Sequence, residues 1–341
     1  MLSILTVSLL LLHNTFAHSG QSLKEELAQR GQWLKTRPRS IESCAEQLQK
    51  RGHLDDAITR REELLRRARM KRGIEGEQLE RRDFTQYDFS HASQQKVSPQ
   101  ADASNLFAQS SNCVLTPEID VLGHYIADGL VRSVIHDNQP GIPMHMDVQV
   151  INTRTCKPMP DVYLDIYQCN STGVYSGVVA EGNGNGFADP SNIRANFGRG
   201  VQRTDANGVA QFESIFPGHY FGVANHLHVL THKGLPEGTP PDAQGRQFVE
   251  ATHNGRIFFD QSLISEVEAL PPYNMNRQPL TLNHEDQAIN LEALTTDPFA
   301  RYAMVGDSLE DGIVAWMSVG VDPQALHPLA YLNEGHNGNG G

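Results

Sequence analysis

The sequence predicts a mainly β protein, a sandwich or barrel, with a helical segment at its N-terminal end. Three observations predict this. From Cys113 onward, short stretches alternate apolar and polar residues, the period of a half-buried strand. Clusters of Gly, Pro, Asn and Asp separate those stretches at sandwich-like spacing. Before residue 86 the texture differs: the chain is dense in Lys, Arg and Glu, with leucines at near-helical spacing.

The strand candidates come in order. "HMDVQVIN" sets Val148 and Val150 on one face. "DVYLDIYQC" sets Val162, Leu164 and Ile166 against Tyr163, Asp165 and Tyr167. "GVAQFESI" and "HLHVLTH" alternate again, "GRIFFDQSLI" reads as another strand, and "DGIVAWMSVGVD" as a last one. The punctuation between them is "TRTCKPMPD", "TDANG", "FPGH" and "KGLPEGTPPD". No internal repeat is visible.

The N-terminal side divides further. Residues 1–17 carry an apolar run, Leu2 to Leu12, and the small-residue site Thr15-Phe16-Ala17, and read as a secretory signal cleaved after Ala17. The run is too short to span a bilayer. Residues 18–85 read as a charged helical segment, with Ser40 as an N-cap and ion pairs four residues apart on a solvated face. "RMKRG", Arg69 to Gly73, is a dibasic site, read either as a pro-segment boundary or as an exposed helix end. Residues 86–110 are Ser-, Gln- and Ala-rich without periodicity and read as a linker. The β domain is expected over 111–325, and 326–341 as a Gly/Asn-rich flexible tail.

Net charge is −12 over 341 residues, which disfavours nucleic acid as a partner. The four cysteines, Cys44, Cys113, Cys156 and Cys169, suggest two disulfides in an exported chain. Three pairings are open; Cys156 with Cys169 would close a short loop and leave Cys44 for Cys113. None sits in a CxxC pair, so a zinc–cysteine site is not expected. Asn170-Ser171-Thr172 is an N-glycosylation sequon.

Chemistry concentrates in "FPGHYFGVANHLHVLTHKG", Phe216 to Gly234, with four histidines and a tyrosine. His226 and His228 lie two apart in a strand pattern, so both imidazoles leave the same face and can reach one point. A pair of hydrogen-bonded histidines on a half-solvated strand is the plainer reading of that spacing alone. Tyr220 follows the turn Pro217-Gly218-His219, and Tyr175 follows the glycine turn of "CNSTGVYSG". Each alone reads as a rim residue. Together, two phenols and two imidazoles suit a hard, strongly acidic metal ion, because only such an ion deprotonates a phenol near neutral pH.

The motifs "CVLTPEID…GHYIADGLVRSVI", "GIPMHMDVQVINTRTCKPMPDVYLDIYQCNSTGVYSG", "GRGVQRTDANGVAQFESIFPGHYFGVANHLHV" and "GRIFFDQ" together resemble the intradiol ring-cleavage dioxygenases. Within that family the chain looks like the secreted fungal type with an added N-terminal segment. The resemblance covers about residues 113–265, in order. It implies a β-sandwich core and an iron(III) centre, Fe(3+), held by Tyr175, Tyr220, His226 and His228. It implies that a catechol displaces Tyr220, which also serves as local base. The ring then opens between its two hydroxylated carbons, with O2, to a cis,cis-muconate-type product. The expected partners are a small aromatic diol and O2. No nucleic acid and no membrane span are expected, and the oligomeric state stays open, a homodimer included.

The chain departs from the family pattern in two places. Relatives carry an Arg three residues before the first ligand histidine, where this chain has Val223. The family's first turn, Gly-Pro followed by two aromatics, is here Leu122-Gly123-His124-Tyr125, with Tyr125 kept as the expected pocket wall. Where relatives carry a Gln in the later strand, Arg256 stands here and would return positive charge to the pocket. The alternative is a non-catalytic secreted sandwich that binds phenolics or carbohydrate around a relic metal site; a zinc hydrolase is a third reading. Other features are weaker. His232 lies about 13 Å beyond His228 along an extended strand, too far to share a ligand shell. His219 is expected to face solvent, "EGNGNGFAD" to form a flexible lip, and "TDANG" to be a plain turn.

Overall fold

The computed structural model of the chain describes residues 41–74, 124–126, 130–180, 183–232, 250–286, 288–289 and 297–328. The expected leader (1–17), the linker (86–110), Cys113 and the tail from 329 onward lie outside the described residues.

A 3-10 turn, Ile41–Cys44, opens the described chain, and two helices follow, α1 (Ala45–Lys50) and α2 (His53–Arg72). Acidic Asp55 and Asp56 stand in the first turn of α2, and basic Arg69, Lys71 and Arg72 in the last, each complementing the helix dipole. Gly73, at φ 69°, ends it, and the Ile74 N–H bonds back to Arg69 O at 3.0 Å. The strands follow: β1 (Pro143–Asn152), β2 (Lys157–Pro158), β3 (Tyr163–Tyr167), β4 (Arg199–Arg203), β5 (Val209–Ile215), β6 (His226–His232), β7 (Glu250–Ala251) and β8 (His253–Phe258). Helix α3 (Gln261–Glu268) comes next, then β9 (Arg301–Met304), β10 (Ile313–Val321) and β11 (His327–Pro328).

The strands form two main sheets. In the first, β1 is central, with β10 on one side and β5 and β2 on the other; β9 pairs outside β10. The β1–β10 pair is parallel, Met144 opposite Ile313 through Asn152 opposite Val321. The second sheet runs β4-β3-β6-β8, antiparallel throughout. Between them lies the main core: Met144, Met146, Val148 and Val150 of β1 and Ala315, Met317 and Val319 of β10 meet Leu164, Ile166, Leu227, Val229 and Ile257. The expectation of a mainly β, two-sheet protein with a helical N-terminal segment holds.

Each sheet is also covered on its outer face. On the first, α2 lays a stripe of Ile58, Leu64, Leu65 and Ala68 over Ala303, Val305, Val314 and Trp316. Each buried leucine there contributes about 2 kcal/mol. The outer face of the second sheet carries the polar and aromatic parity of its strands, and loops roof it over. Among the described residues, no helix is long and apolar enough to cross a membrane.

Two expectations are corrected. The disulfide is Cys44–Cys156, not Cys156–Cys169; Cys169 is a buried free thiol, its Sγ 3.2 Å from Gly218 O. The short-loop pairing fails because β3 separates the two cysteines: the strand carries Cys169 to the second sheet and leaves Cys156 at the turn after β1. The run "GRIFFDQSLI" is not one strand. β8 stops at Phe258, and α3 begins at Gln261, burying Leu263, Ile264 and Val267 in the core.

Candidate metal centre

Strand parity places the histidines. Leu227 and Val229 of β6 enter the core, so His226 and His228 leave the opposite face. The register then assembles a row across that face. Arg199 of β4 stands opposite Tyr167 of β3, Tyr167 opposite His228, and His228 opposite Arg256 of β8. Directly opposed residues share a face and touch. The Tyr167 ring lies flat on the His228 imidazole, centroids 4.1 Å apart and planes 3° from parallel. The Arg199 guanidinium sits 5.3 Å from the Tyr167 centroid, so the aromatic pair is flanked by cations.

Loops bring the tyrosines. The chain leaves β3 and turns at Asn170, whose side-chain oxygen accepts from the N–H groups of Thr172 and Val174, both at 3.0 Å. Tyr175 follows, fully buried. Asn183 clamps its backbone: the side chain accepts from Tyr175 N–H at 2.7 Å and donates to Tyr175 O at 2.8 Å. Asn192 adds a second bond to the same carbonyl at 2.8 Å. Tyr220, half-buried, stands in the turn before β6. The four rings close a circuit: Tyr175 to Tyr220 at 5.2 Å, Tyr220 to His226 at 5.8 Å, His226 to His228 at 4.5 Å and His228 to Tyr175 at 6.1 Å.

The donor chemistry fits a cation. His226 Nδ1 lies 2.7 Å from Ala224 O, an acceptor only, so that nitrogen carries a proton and a metal would be met by Nε2. His226 Nε2 and His228 Nε2 are 2.9 Å apart, so both imidazole tips converge on one point. Burial, then the neighbouring His226 and Arg256, hold His228 well below the usual histidine range, which keeps it neutral. Burial pushes the Tyr220 phenol up to about 12, against the pull of Arg256. It pushes Tyr175 well above the ordinary tyrosine value, with Tyr220 as the next cause. The Tyr175 hydroxyl is buried beside the Tyr220 phenol, so the two phenols face one another and both point to the centre. Among the described residues no group of three or more His, Cys, Asp or Glu is placed to hold a metal ion, so a metal here depends on the two phenols.

The other sequence candidates take definite places. Tyr125 is buried in the same aromatic cluster and donates to Asp165 Oδ2 at 3.0 Å. Arg256 is buried opposite His228. Val223 is fully buried and brings no charge. His232 Nε2 faces Asp165 Oδ2 at 3.4 Å, further along the strand. The "TDANG" turn closes on Asp205, which accepts from Asn207 and Val209 N–H at 2.8 and 2.9 Å. His219 does not face solvent. It is buried, with Nδ1 at 2.9 Å from Glu268 and Nε2 at 2.9 Å from Gln278 O, and its pKa is raised by those partners against burial. The "EGNGNGFAD" stretch is not only a lip, since its Asn183 holds Tyr175 from within. The sequon amide of Asn170 donates to Gln139 Oε1 at 3.0 Å.

Tyr167, Arg199, Asp165 and His124 escaped the sequence reading as site residues. His124 stacks on Tyr175 at 4.7 Å, and Arg199 Nε bonds Ser176 O at 3.1 Å, next to Tyr175. Tyr167 and Asp165 carried a signal, since both share the polar parity of their strand.

No protein-family model matches the chain, and no curated protein matches it. Solved structures do. The intradiol ring-cleavage dioxygenase from Tetranychus urticae is 26% identical, over 62% of this chain and 96% of that one, with a TM-score of 0.48. The dioxygenase domain of a dioxygenase–carbohydrate-binding fusion from Streptomyces sp. SirexAA-E is 19% identical, over 61% and 98%, with a TM-score of 0.39. Catechol 1,2-dioxygenase from Pseudomonas arvilla C-1 is 15% identical, over 64% of each chain, with a TM-score of 0.36. All three scores lie below 0.5; what the site can do follows from its own side chains.

Proposed function

We propose that the chain is an iron(III) dioxygenase that opens catechol-type rings, exported from the cell, with Tyr175, Tyr220, His226 and His228 as the metal ligands. The supporting observation is the convergence of two phenols and two imidazoles on one point, with no group of three or more His, Cys, Asp or Glu placed to hold a metal among the described residues. Two phenolates balance two of the three charges of iron(III); zinc prefers His, Cys and carboxylate. When bound, iron(III) supplies the Lewis acidity that ionises the phenols and makes a chelated catechol reactive toward O2.

The residues divide the remaining work. Tyr175 is fixed at its backbone by Asn183 and Asn192 and buried throughout, so it is the permanent phenol ligand. Tyr220 is half-buried and therefore the one a substrate can displace. Once displaced, its Oη would be the base that takes a proton from a catechol hydroxyl. Arg256 and Arg199 hold positive charge at both ends of the row that carries His228, which favours an anionic substrate. Tyr125 walls the pocket. Catechols, hydroxyquinols and plant or lignin phenolics fit this chemistry.

The test is the visible absorption spectrum of the purified, iron-loaded protein beside Tyr175→Phe. Tyrosinate on iron(III) gives a broad charge-transfer band. The band should weaken or shift in the variant and shift again on adding catechol. A protein that stays colourless after iron loading and does not respond to catechol would refute the iron assignment and leave the binding-module reading.

A further inference from the structure

We infer that Gln278, with Asn276, is a positioning residue that clasps the two tyrosine-bearing loops together and sets the distance between the phenols of Tyr175 and Tyr220. The inference deepens the proposed function, but its test does not need the metal.

At their bases the two loops meet directly: Gly218 N–H donates to Asn170 O at 3.1 Å. Nearer their tips the loops pass close to one another, and the segment after α3 reaches in to bond both. The Gln278 amide nitrogen stands among three backbone carbonyl oxygens, Thr172 at 3.3 Å, Gly173 at 3.4 Å and His219 at 3.4 Å, with Asn276 Oδ1 also at 3.4 Å. Its amide oxygen accepts from Phe221 N–H at 3.3 Å. Acceptors on one side and a donor on the other decide which end of the amide is which. Asn276 Nδ2 adds a bond to His219 O at 2.6 Å, and the Gln278 carbonyl meets the His219 ring at 2.9 Å. The clasp thus grips Thr172 and Gly173 ahead of Tyr175, and His219 and Phe221 on either side of Tyr220.

A second observation is independent of those bonds. Gly173 has φ +77°, and a Cβ there would collide with His219 O and the Gln278 amide nitrogen. A Cβ on Gly184 would collide with Gly173 O and stand 2.7 Å from the Gln278 amide nitrogen. Two glycines therefore clear the space into which this one side chain reaches. Glu268 completes the anchor: it binds His219 Nδ1 at 2.9 Å and Asn225 Nδ2 at 3.1 Å, one residue before His226. With the backbone held on both sides of Tyr220, its departure from the centre is a side-chain rotation rather than a loop movement.

The experiment is amide hydrogen exchange on the metal-free full chain, wild type against Gln278→Met, which keeps the volume and removes the amide. Exchange should rise about tenfold or more both in 172–176 and in 218–222, while β1 and β6 keep their protection. A folded variant in which either tyrosine loop keeps wild-type protection overturns the clasp. Should the variant fail to fold, wild-type exchange in graded denaturant decides: both loops opening in one step supports the clasp, and separate openings overturn it. A wild-type protein without the charge-transfer band would remove the iron reading and leave this result standing.

Discussion

Tyr167 shows what a single side chain does at the centre. Its ring fixes the plane of His228 by stacking, while its hydroxyl is buried and makes no hydrogen bond among the described residues. Burial, before any charge, drives its pKa up. The two halves of the residue therefore pull in opposite directions. Tyr167→Phe keeps the stack and removes an uncompensated hydroxyl, so the metal-free protein should be as stable as wild type or more stable by on the order of 1 kcal/mol. Tyr167→Ala should cost about 3–5 kcal/mol in cavity and lost contact. Denaturant unfolding of the metal-free variants reads both; a clear loss in the Phe variant would mean that the hydroxyl has a partner after all. The pairing of His226 with His228 was legible because parity is local: two residues apart in a strand means one face. Tyr167 also showed its parity, yet its place opposite His228 is a register between β3 and β6, which no local pattern carries. His219 was misread for the same reason. A turn position suggests exposure, and the residue that buries it, Glu268, lies far along the chain.

Among the elements, α2 joins the sheet through charge as well as through leucines. Asp147 of β1 is fully buried and takes Arg60 Nε at 2.7 Å and Nη2 at 2.9 Å, Arg61 Nε at 3.3 Å and Gln211 Nε2 at 2.9 Å. Burial alone would raise that carboxyl, but Arg60 and Arg61 outweigh it and hold it below the usual carboxylate range. His53, the first residue of α2, sits beside these cations. Burial first, then Arg60 and Arg61, lower its pKa to about 4. A depressed histidine disfavours the charged form in the folded state, so the unfolded chain binds more protons below its own pKa of about 6.5. The His53 contribution is intact above that value and is lost as pH falls toward 4. Comparing wild type with His53→Gln isolates it from the carboxylates that titrate in the same range. The wild type should lose on the order of 1–2 kcal/mol more than the variant between pH 6.5 and 4, allowing for the part of the ring that solvent reaches. Equal pH slopes in the two proteins would contradict the burial of His53 against α2's arginines. The helix itself was legible from its charge pattern, with ion pairs four residues apart. The break between β8 and α3 was not, because a short apolar run such as Ile257-Phe258-Phe259 fits either state.

Over the whole molecule, the N-terminal helices are tied to the sandwich at two separated points. Cys44 is bonded to Cys156 at the turn after β1, across a sequence separation of 112, and the Arg60–Arg61–Asp147 cluster with the leucine stripe holds α2 further along. The dibasic stretch Arg69 to Gly73 is the end of that docked helix: Arg69 Nε bonds Val305 O at 3.0 Å, and Arg72 Nε bonds Asp311 O at 3.1 Å. The pairing could not be read from spacing, because it depends on α1 lying against the end of β1, a contact between distant parts of the chain. Its consequence is physical and testable. A chain cut after Arg72 should keep residues 41–72 attached through Cys44, so the two pieces should run as one species in denaturing electrophoresis without reductant and separate with it. Cys44→Ser should cost on the order of 4 kcal/mol by the loop-entropy model, less whatever order the unfolded chain retains. Cut Cys44→Ser protein should separate into two pieces under denaturing conditions whether or not reductant is present. Under native conditions α2 should still hold by its leucines and by Asp147, so a cut, reduced protein should elute as one particle at neutral pH. It should come apart first as pH falls toward 4, where His53 takes up its proton beside Arg60 and Arg61. Separation of the cut wild-type chain in denaturing gels without reductant would show that Cys44 is bonded to no cysteine beyond the cut, and would remove the covalent half of this anchor.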